Sequence, residues 1–344
     1  MVPPRWVISM PEQDVNFGVT SGPPTIGGGT ELLVFNGGKT IDITVSSGGY
    51  GYVSSGGVAS DTVVSSGGFE VVSSGGILDS TQVLNGGTLI VFPGALPGVP
   101  SVASGATVIS TGVLVQSGHV FISALSGTVT GVVVNADKAF VLSGGVAIDT
   151  VMENEGLETV YSGGVASGTI GNGDLDVLAG GSAVGVSLGI GDVERVQSGG
   201  FASGTVINQA AQGVGSGGIA SNTTVGGVLS QSQEFGNQTV LSGGVANGTV
   251  VNAGGYIIVS AGAQVNDLVI NSGGGITLPY VNFDEFNNGG TATVNSGSDV
   301  LAITAFHLTA VFSVTRCDSR GPTRDWFGPA IRFLRESMCH PVRP

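Results

Sequence analysis

The chain has 344 residues, 62 of them glycine, with 10 basic against 24 acidic residues and a net charge of −14. A surface this acidic excludes nucleic-acid binding, which needs cations to displace counterions from phosphates, and 41 % apolar residues exclude a disordered chain. The glycines lack the strict triplet period of collagen, and no run of eighteen apolar residues is present, so no membrane-spanning helix is expected.

From the amino end, residues 1–30 read as an N-terminal cap or leader. Arg5 is followed only by Trp6-Val7-Ile8-Ser9-Met10, shorter than the roughly 7–15 apolar residues of a secretory signal, so no signal peptide is recognisable.

Residues 31–304 repeat themselves. Ser-Gly-Gly occurs ten times. The first glycines of successive pairs fall at Gly48, Gly56, Gly67, Gly75 and Gly86, giving gaps of 8, 11, 8 and 11 and a 19-residue unit. The same step separates Gly144-Gly145 from Gly163-Gly164, and Gly180 from Gly199-Gly200, and the pattern resumes at Gly243-Gly244. Residues 92–142 are less regular and contain Pro93, Pro97 and Pro100.

Aligning the longer arm on its glycine pair (Gly56-Gly57, with Gly67-Gly68 closing it) exposes columns. Alanine recurs two residues after the pair, as at Ala59. Threonine follows three further on at Thr62, Thr81, Thr150, Thr169, Thr205, Thr223 and Thr249, with Val186 the exception. Two beyond that the column is mostly apolar, as at Val64. Short segments rich in Val, Ile and Thr favour strands, glycine pairs supply the positive φ of tight corners, and no 3.6-residue period supports helices. A 19-residue unit cannot bury its own apolar face, whereas stacked units can, at about 4.8 Å per step. The expected fold is all-β, a parallel β-solenoid of about 14 coils followed by an irregular tail. The threonine column is an internal hydroxyl ladder or an exposed stripe; its period-two relation to the apolar column favours inward. Acidic residues such as Asp61, Asp149 and Glu70 are expected at corners or outward. The column holding Asp61 and Asp149 is diluted by Ser80, Gly168, Gly204, Asn222 and Gly248, which relieves like-charge stacking.

Residues 305–344 form a non-repeat basic tail. Six of the ten basic residues and both cysteines, Cys317 and Cys339, lie there. Such a break is what a shifted reading frame produces, and the tail reads as out of frame; the alternative is a basic binding arm. The cysteines have no partners at metal-ligand spacing.

The 19-residue pattern, clearest at Ser55–Ser73 (SGGVASDTVVSSGGFEVVS), resembles the AIDA-type repeat of bacterial autotransporter adhesins. The resemblance implies a right-handed parallel β-helix, extracellular or on the bacterial cell surface, serving adhesion or self-association. Its implied partners are other cells, surface glycans or copies of itself. It also implies sugar-modified serines and threonines, for which Ser60, Ser65 and Ser66 are the candidate glycan acceptors. Similar repeats precede Hint autoprocessing domains, and Phe306–Ala310 resembles the spacer before one. The second reading is therefore a truncated passenger of a Hint-domain or barrel protein.

Other chemistry is weakly signalled. Gly185-Val186-Ser187-Leu188-Gly189 matches a hydrolase elbow, but 18 % glycine and 37 serines give about one such match by chance. Gly213-x-Gly215-x-x-Gly218 lacks the following helix of a dinucleotide site. Gly171–Asp176 resembles a calcium-binding turn that does not recur. Acid pairs at Glu153/Glu155, Asp174/Asp176 and Asp284/Glu285 leave a carbohydrate-active enzyme as the third reading, with Glu194-Arg195 read as a surface pair. The expectation is an adhesin-like repeat protein without catalysis, cofactor or metal.

Overall fold

The computed structural model describes residues 12–15, 18–21, 25–118, 120–125, 127–227, 236–271, 273–278, 293–294 and 299–303. Among them is no helix. They build a parallel β-solenoid of about 12 turns. The basic tail, Cys317, Cys339, Phe306–Ala310, Asp284/Glu285 and most of the N-terminal cap lie outside the described residues.

One coil illustrates how the sequence folds. Tyr50–Val53 forms the first face, Val58–Ser60 the second and Val63–Val64 the third. Each pairs in parallel with the segment 19 residues on: Tyr50 with Phe69, Val58 with Ile77, and Val63 with Gln82. The coil is therefore three-sided. Ser54–Gly57 and Ser65–Gly68 turn two corners, and these are the glycine-pair punctuation. The third corner has no glycine pair. It is a single residue in the left-handed region: Asp42, Asp61, Ser80, Asp149, Gly168, Gly185, Gly204, Asn222, Gly248 and Asp267 in turn. Glycine, Asn and Asp tolerate that conformation best. Backbone geometry thus accounts for the Asp/Gly/Asn mixture of this column directly, without appeal to charge dilution.

The two glycines of a pair do different work. Gly199 has φ +74, where a side chain is strained. Gly200 has no such φ, but a Cβ there would sit 2.5 Å from the Val177 carbonyl oxygen of the coil before.

The described residues fall into two compact units divided between Thr111 and Gly112. In the first, the three faces are separate sheets of six, four and five strands. In the second, an eight-stranded sheet forms the second face, while first and third faces share an eighteen-stranded sheet. Long strands, Val151–Val160 and Ile170–Val177, run through the corner between those two faces, where the sequence has Glu153-Asn154-Glu155 and Asn172 in place of a glycine pair. The irregular stretch 92–142 contains the end of the first unit and an antiparallel start to the second. Val113–Ser117 pairs antiparallel with both Val120–Leu125 and Lys138–Val141. That hairpin, and a coil in which Ile219 pairs with Val245 across 26 residues, use chain that would otherwise make further 19-residue coils. The turn count accordingly falls short of 14.

The core is columnar. Ala59, Val64 and Val83 face inward in the first unit, and Ala147, Ala166, Ala202, Ala246 and Val251 in the second. The threonine column also faces inward: Thr62, Thr81, Thr150, Thr169, Thr205, Thr223 and Thr249 are all buried. Its partners come from an inward column of the first face that is not uniform. In the first unit this column runs Gly51, Glu70, Leu89. In the second it runs Ala139, Glu158, Leu175, Glu194, Gln212, Gln238, Ile257. Glu158 accepts hydrogen bonds from the hydroxyls of Thr150 (3.0 Å) and Thr169 (2.7 Å). Glu194 accepts from Thr205 (2.9 Å) and from the Gln212 amide (2.6 Å). Gln212 accepts in turn from Thr223 (3.1 Å) and Gln238 (2.7 Å), and Gln238 from Thr249 (2.9 Å).

Glu70, expected outward, is buried in this inward column, because the side chains of a strand alternate and Val72, two residues on, faces the same core. Glu194-Arg195 is not a surface pair: the two point to opposite sides of one strand, so Glu194 is buried while Arg195 is exposed.

Candidate functional site

What the solenoid presents outward is set by its turns. The residue before the first glycine of the first-to-second-face turn is an exposed serine at Ser55 and Ser74 in the first unit. In the second unit it is an exposed serine at Ser143, Ser162, Ser198, Ser216 and Ser242. Each hydroxyl lies over the first glycine of the following coil. A Cβ on Gly163 would be 2.8 Å from the Ser143 hydroxyl, and one on Gly217 2.8 Å from that of Ser198. The result is a file of accessible hydroxyls at steps of about 4.8 Å, interrupted at Ala179. Of the serines singled out from sequence, Ser66 is exposed. Ser65 is half-buried and donates to the Val45 carbonyl (3.2 Å), and Ser60 is only 7 % exposed. The spacing of Ser-Gly-Gly located the turns, but which hydroxyls face solvent required the coil.

Beside the serine file, the outward column of the second face carries Val146, Val165, Phe201, Ile219 and Val245, and the third face exposes Ile170 and Val206. In the first unit, Tyr50 and Phe69 stack with centroids 5.1 Å apart and planes 9° from parallel.

Charge gathers in one place in the second unit. A shallow cleft of about 440 Å³ is lined by Lys138, Glu155, Asn172, Asp174, Asp176 and Arg195, among others. It lies where three successive coils replace the glycine pair with charged or amide residues. Arg195 bonds Asp174 (2.7 Å) and Asp176 (3.2 Å), and the hydrogen bond it donates to Asp174 leads in holding its guanidinium pKa up. Asp192 is buried at the cleft wall and accepts from the backbone N–H groups of Gly173 (2.9 Å) and Gly189 (2.7 Å). Burial nevertheless raises its pKa, with the charge of Asp174 adding to the rise. Glu153, the other half of the Glu153/Glu155 pair, accepts from Asn135 (2.7 Å).

The sequence motifs fall on ordinary coil. Gly171–Asp176 lies within the strand Ile170–Val177, with both aspartates engaged by Arg195. Ser187 begins the strand Ser187–Leu188, its N–H bonded to the Thr169 carbonyl (2.9 Å), so it sits in a ladder and not on an elbow. Gly213 and Gly215 flank Val214, the last residue of a first-face strand. Among the described residues no group of three or more acidic, His or Cys side chains is arranged to hold a metal ion, and no helix is long and apolar enough to cross a membrane.

No family model matches the chain, and no curated protein matches it. Among solved structures it is similar to the crystal structure of a TibC-catalysed, hyper-glycosylated fragment of TibA, residues 55–350. The two are 33 % identical; the match covers 78 % of this chain and 92 % of the fragment, with a TM-score of 0.42. The ladders described above already define this protein as an all-β parallel solenoid. Within that class its sequence is similar to that of the TibA fragment.

Proposed function

We propose that this chain is an adhesin-like passenger, displayed at a bacterial cell surface or secreted, that acts by repeated contact and without catalysis. The observation carrying this reading is the file of exposed turn serines, Ser143, Ser162, Ser198, Ser216 and Ser242, flanked by outward apolar stacks. A solenoid repeats one chemical group at fixed spacing, and such an array converts weak single contacts into avidity. Hydroxyls at exposed turns are also where sugars can be attached without disturbing a ladder, and the similarity to a hyper-glycosylated fragment supports this use. Its partners are surface glycans, other cells or further copies of the chain.

The test is to display residues 1–310 on a non-aggregating bacterium and follow settling. Faster settling than the empty display is expected. Replacing the five serines by alanine is expected to remove any sugar mass from the purified domain while leaving its far-UV dichroism unchanged. Settling identical to the empty display would overturn the adhesive reading, and sugar mass retained by the alanine variant would overturn the assignment of these serines.

A further inference from the structure

We propose that the solenoid is a proton-dependent fold, in which the inward carboxyls of Glu70, Glu158 and Glu194 enter the core as neutral acids, so that the coil is firmest in acid and slackens as pH rises. The geometry supports this first. Glu70 in the first unit, and Glu158 and Glu194 in the second, each occupy the inward column of their own unit's first face, and each is at most 2 % exposed. Their surroundings are neutral. Glu70 stacks between Gly51 and Leu89, opposite Thr62 and Thr81, and its carboxyl occupies the space left by the missing side chain of Gly51. Glu158 meets Thr150 and Thr169, and Glu194 meets Thr205 and Gln212. The three basic residues among those described, Lys39, Lys138 and Arg195, are all exposed. Those exposed cations apart, the other titratable groups on neighbouring positions are acids and phenols: the buried Glu31 and Tyr50 in the first unit, and Asp174, Asp176, Tyr161 and the buried Asp192 in the second. An ionised carboxylate in such a setting has no counter-charge, and it responds by keeping its proton.

The column itself shows that a neutral group is what the position requires. Gln212 and Gln238 occupy the second unit's file one and two strands beyond Glu194, hydrogen-bonded through their amides. Gly51 and Leu89 in the first unit, and Ala139, Leu175 and Ile257 in the second, fill the remaining places. Unpaired atoms mark where the proton matters. Glu70 Oε2, the Thr62 and Thr81 hydroxyls, and Glu194 Oε1 are buried without a hydrogen-bond partner.

Burial, the leading cause in each case, raises all three. For Glu70 the value rises from 4.5 to about 8. For Glu158 the Thr169 and Thr150 hydroxyls, and for Glu194 the Gln212 amide and Thr205 hydroxyl, pull back without reversing it. The sign follows from linkage. A carboxyl whose folded pKa lies above its unfolded one contributes its full stability below the unfolded value and loses it as pH rises to the folded value. For Glu70 the loss therefore runs from about pH 4.5 to about pH 8, at about tenfold in the folding constant per pH unit while the two states differ by one proton.

The experiment compares urea midpoints of the full chain and of its E70Q/E158Q/E194Q variant between about pH 5 and about pH 8. The wild-type midpoint is expected to fall across that window, and the triple variant to fall much less, its remaining slope reporting surface repulsion. Should the triple variant not fold, the single E158Q, whose amide can still accept from one threonine, takes its place. Alongside, the infrared carbonyl stretch of a protonated carboxylic acid is expected in the folded wild type at neutral pH and to vanish on unfolding. Equal slopes in wild type and variant, a midpoint rising with pH, or no protonated-carboxyl band would each overturn the proposal.

Discussion

Val186 occupies the threonine column, and its effect can be worked out from its neighbours. It precedes Glu194 by eight residues, as Thr150 precedes Glu158, and Thr150 reaches Glu158 Oε1 at 3.0 Å. Glu194 Oε1, which such a threonine would meet, has no partner. Val186→Thr places a hydroxyl at that atom, able to donate or accept. Relieving an unpaired buried polar atom is worth about 1–3 kcal/mol, and the methyl given up costs about 0.8 kcal/mol. The substitution is therefore expected to stabilise by about 1 kcal/mol, an unusual sign for placing a polar group in a core. Urea unfolding of wild type, V186T, E194L and V186T/E194L measures it as a coupling. Leucine is the natural partner residue at position 194, because Leu175 occupies the same file and Leu89 holds the matching place in the first unit. With leucine there the new hydroxyl has no acceptor, and V186T is expected to destabilise by about 1–3 kcal/mol. If V186T has the same effect with either residue at 194, the hydrogen-bond reasoning fails.

Further expectations follow from the turns and the cleft. Gly200→Ala forces a Cβ onto the Val177 carbonyl and is expected to cost about 3 kcal/mol. Gly144→Ala, at φ +71 with nothing within 4 Å, is expected to cost about 1 kcal/mol; urea midpoints that reverse this order would refute the division of labour within the pair. Arg195→Ala removes two bonds to Asp174 and Asp176, yet the side chain is 45 % exposed. Stability should change by less than about 1 kcal/mol, and salt should abolish the difference. A larger, salt-resistant loss would mean that the cleft supports the coil.

The interior shows where the sequence was legible and where it was not. The threonine column was visible because seven of eight aligned positions hold the same residue, and its inward direction followed from alternation along a strand. The files containing Glu70 in the first unit and Glu158 and Glu194 in the second were not visible, because their members share no residue type: glycine, glutamate and leucine in one, and alanine, glutamate, leucine, glutamine and isoleucine in the other. What they share is a place, opposite the threonines of the same coil and the one before. Arg195 was assigned to the wrong partner for a related reason. Its neighbour in the chain, Glu194, points into the core, whereas Asp174 and Asp176 lie one coil away on the same outer surface, 19 to 21 residues earlier.

By itself, then, the sequence determined the 19-residue coil, its glycine-marked corners and the inward alanine, threonine and valine files, because stacking puts every column above itself and so writes contact into periodicity. Three things waited for the tertiary structure. The third corner needed backbone angles, since Asp, Asn and Gly look unrelated until they share a positive φ. The antiparallel opening of the second unit arises where the repeat fades and pairing is no longer set by period. And the burial of three carboxylates depends on which side of a two-residue alternation each falls, a one-residue distinction that composition and spacing do not encode but that decides whether an acid meets water or the core.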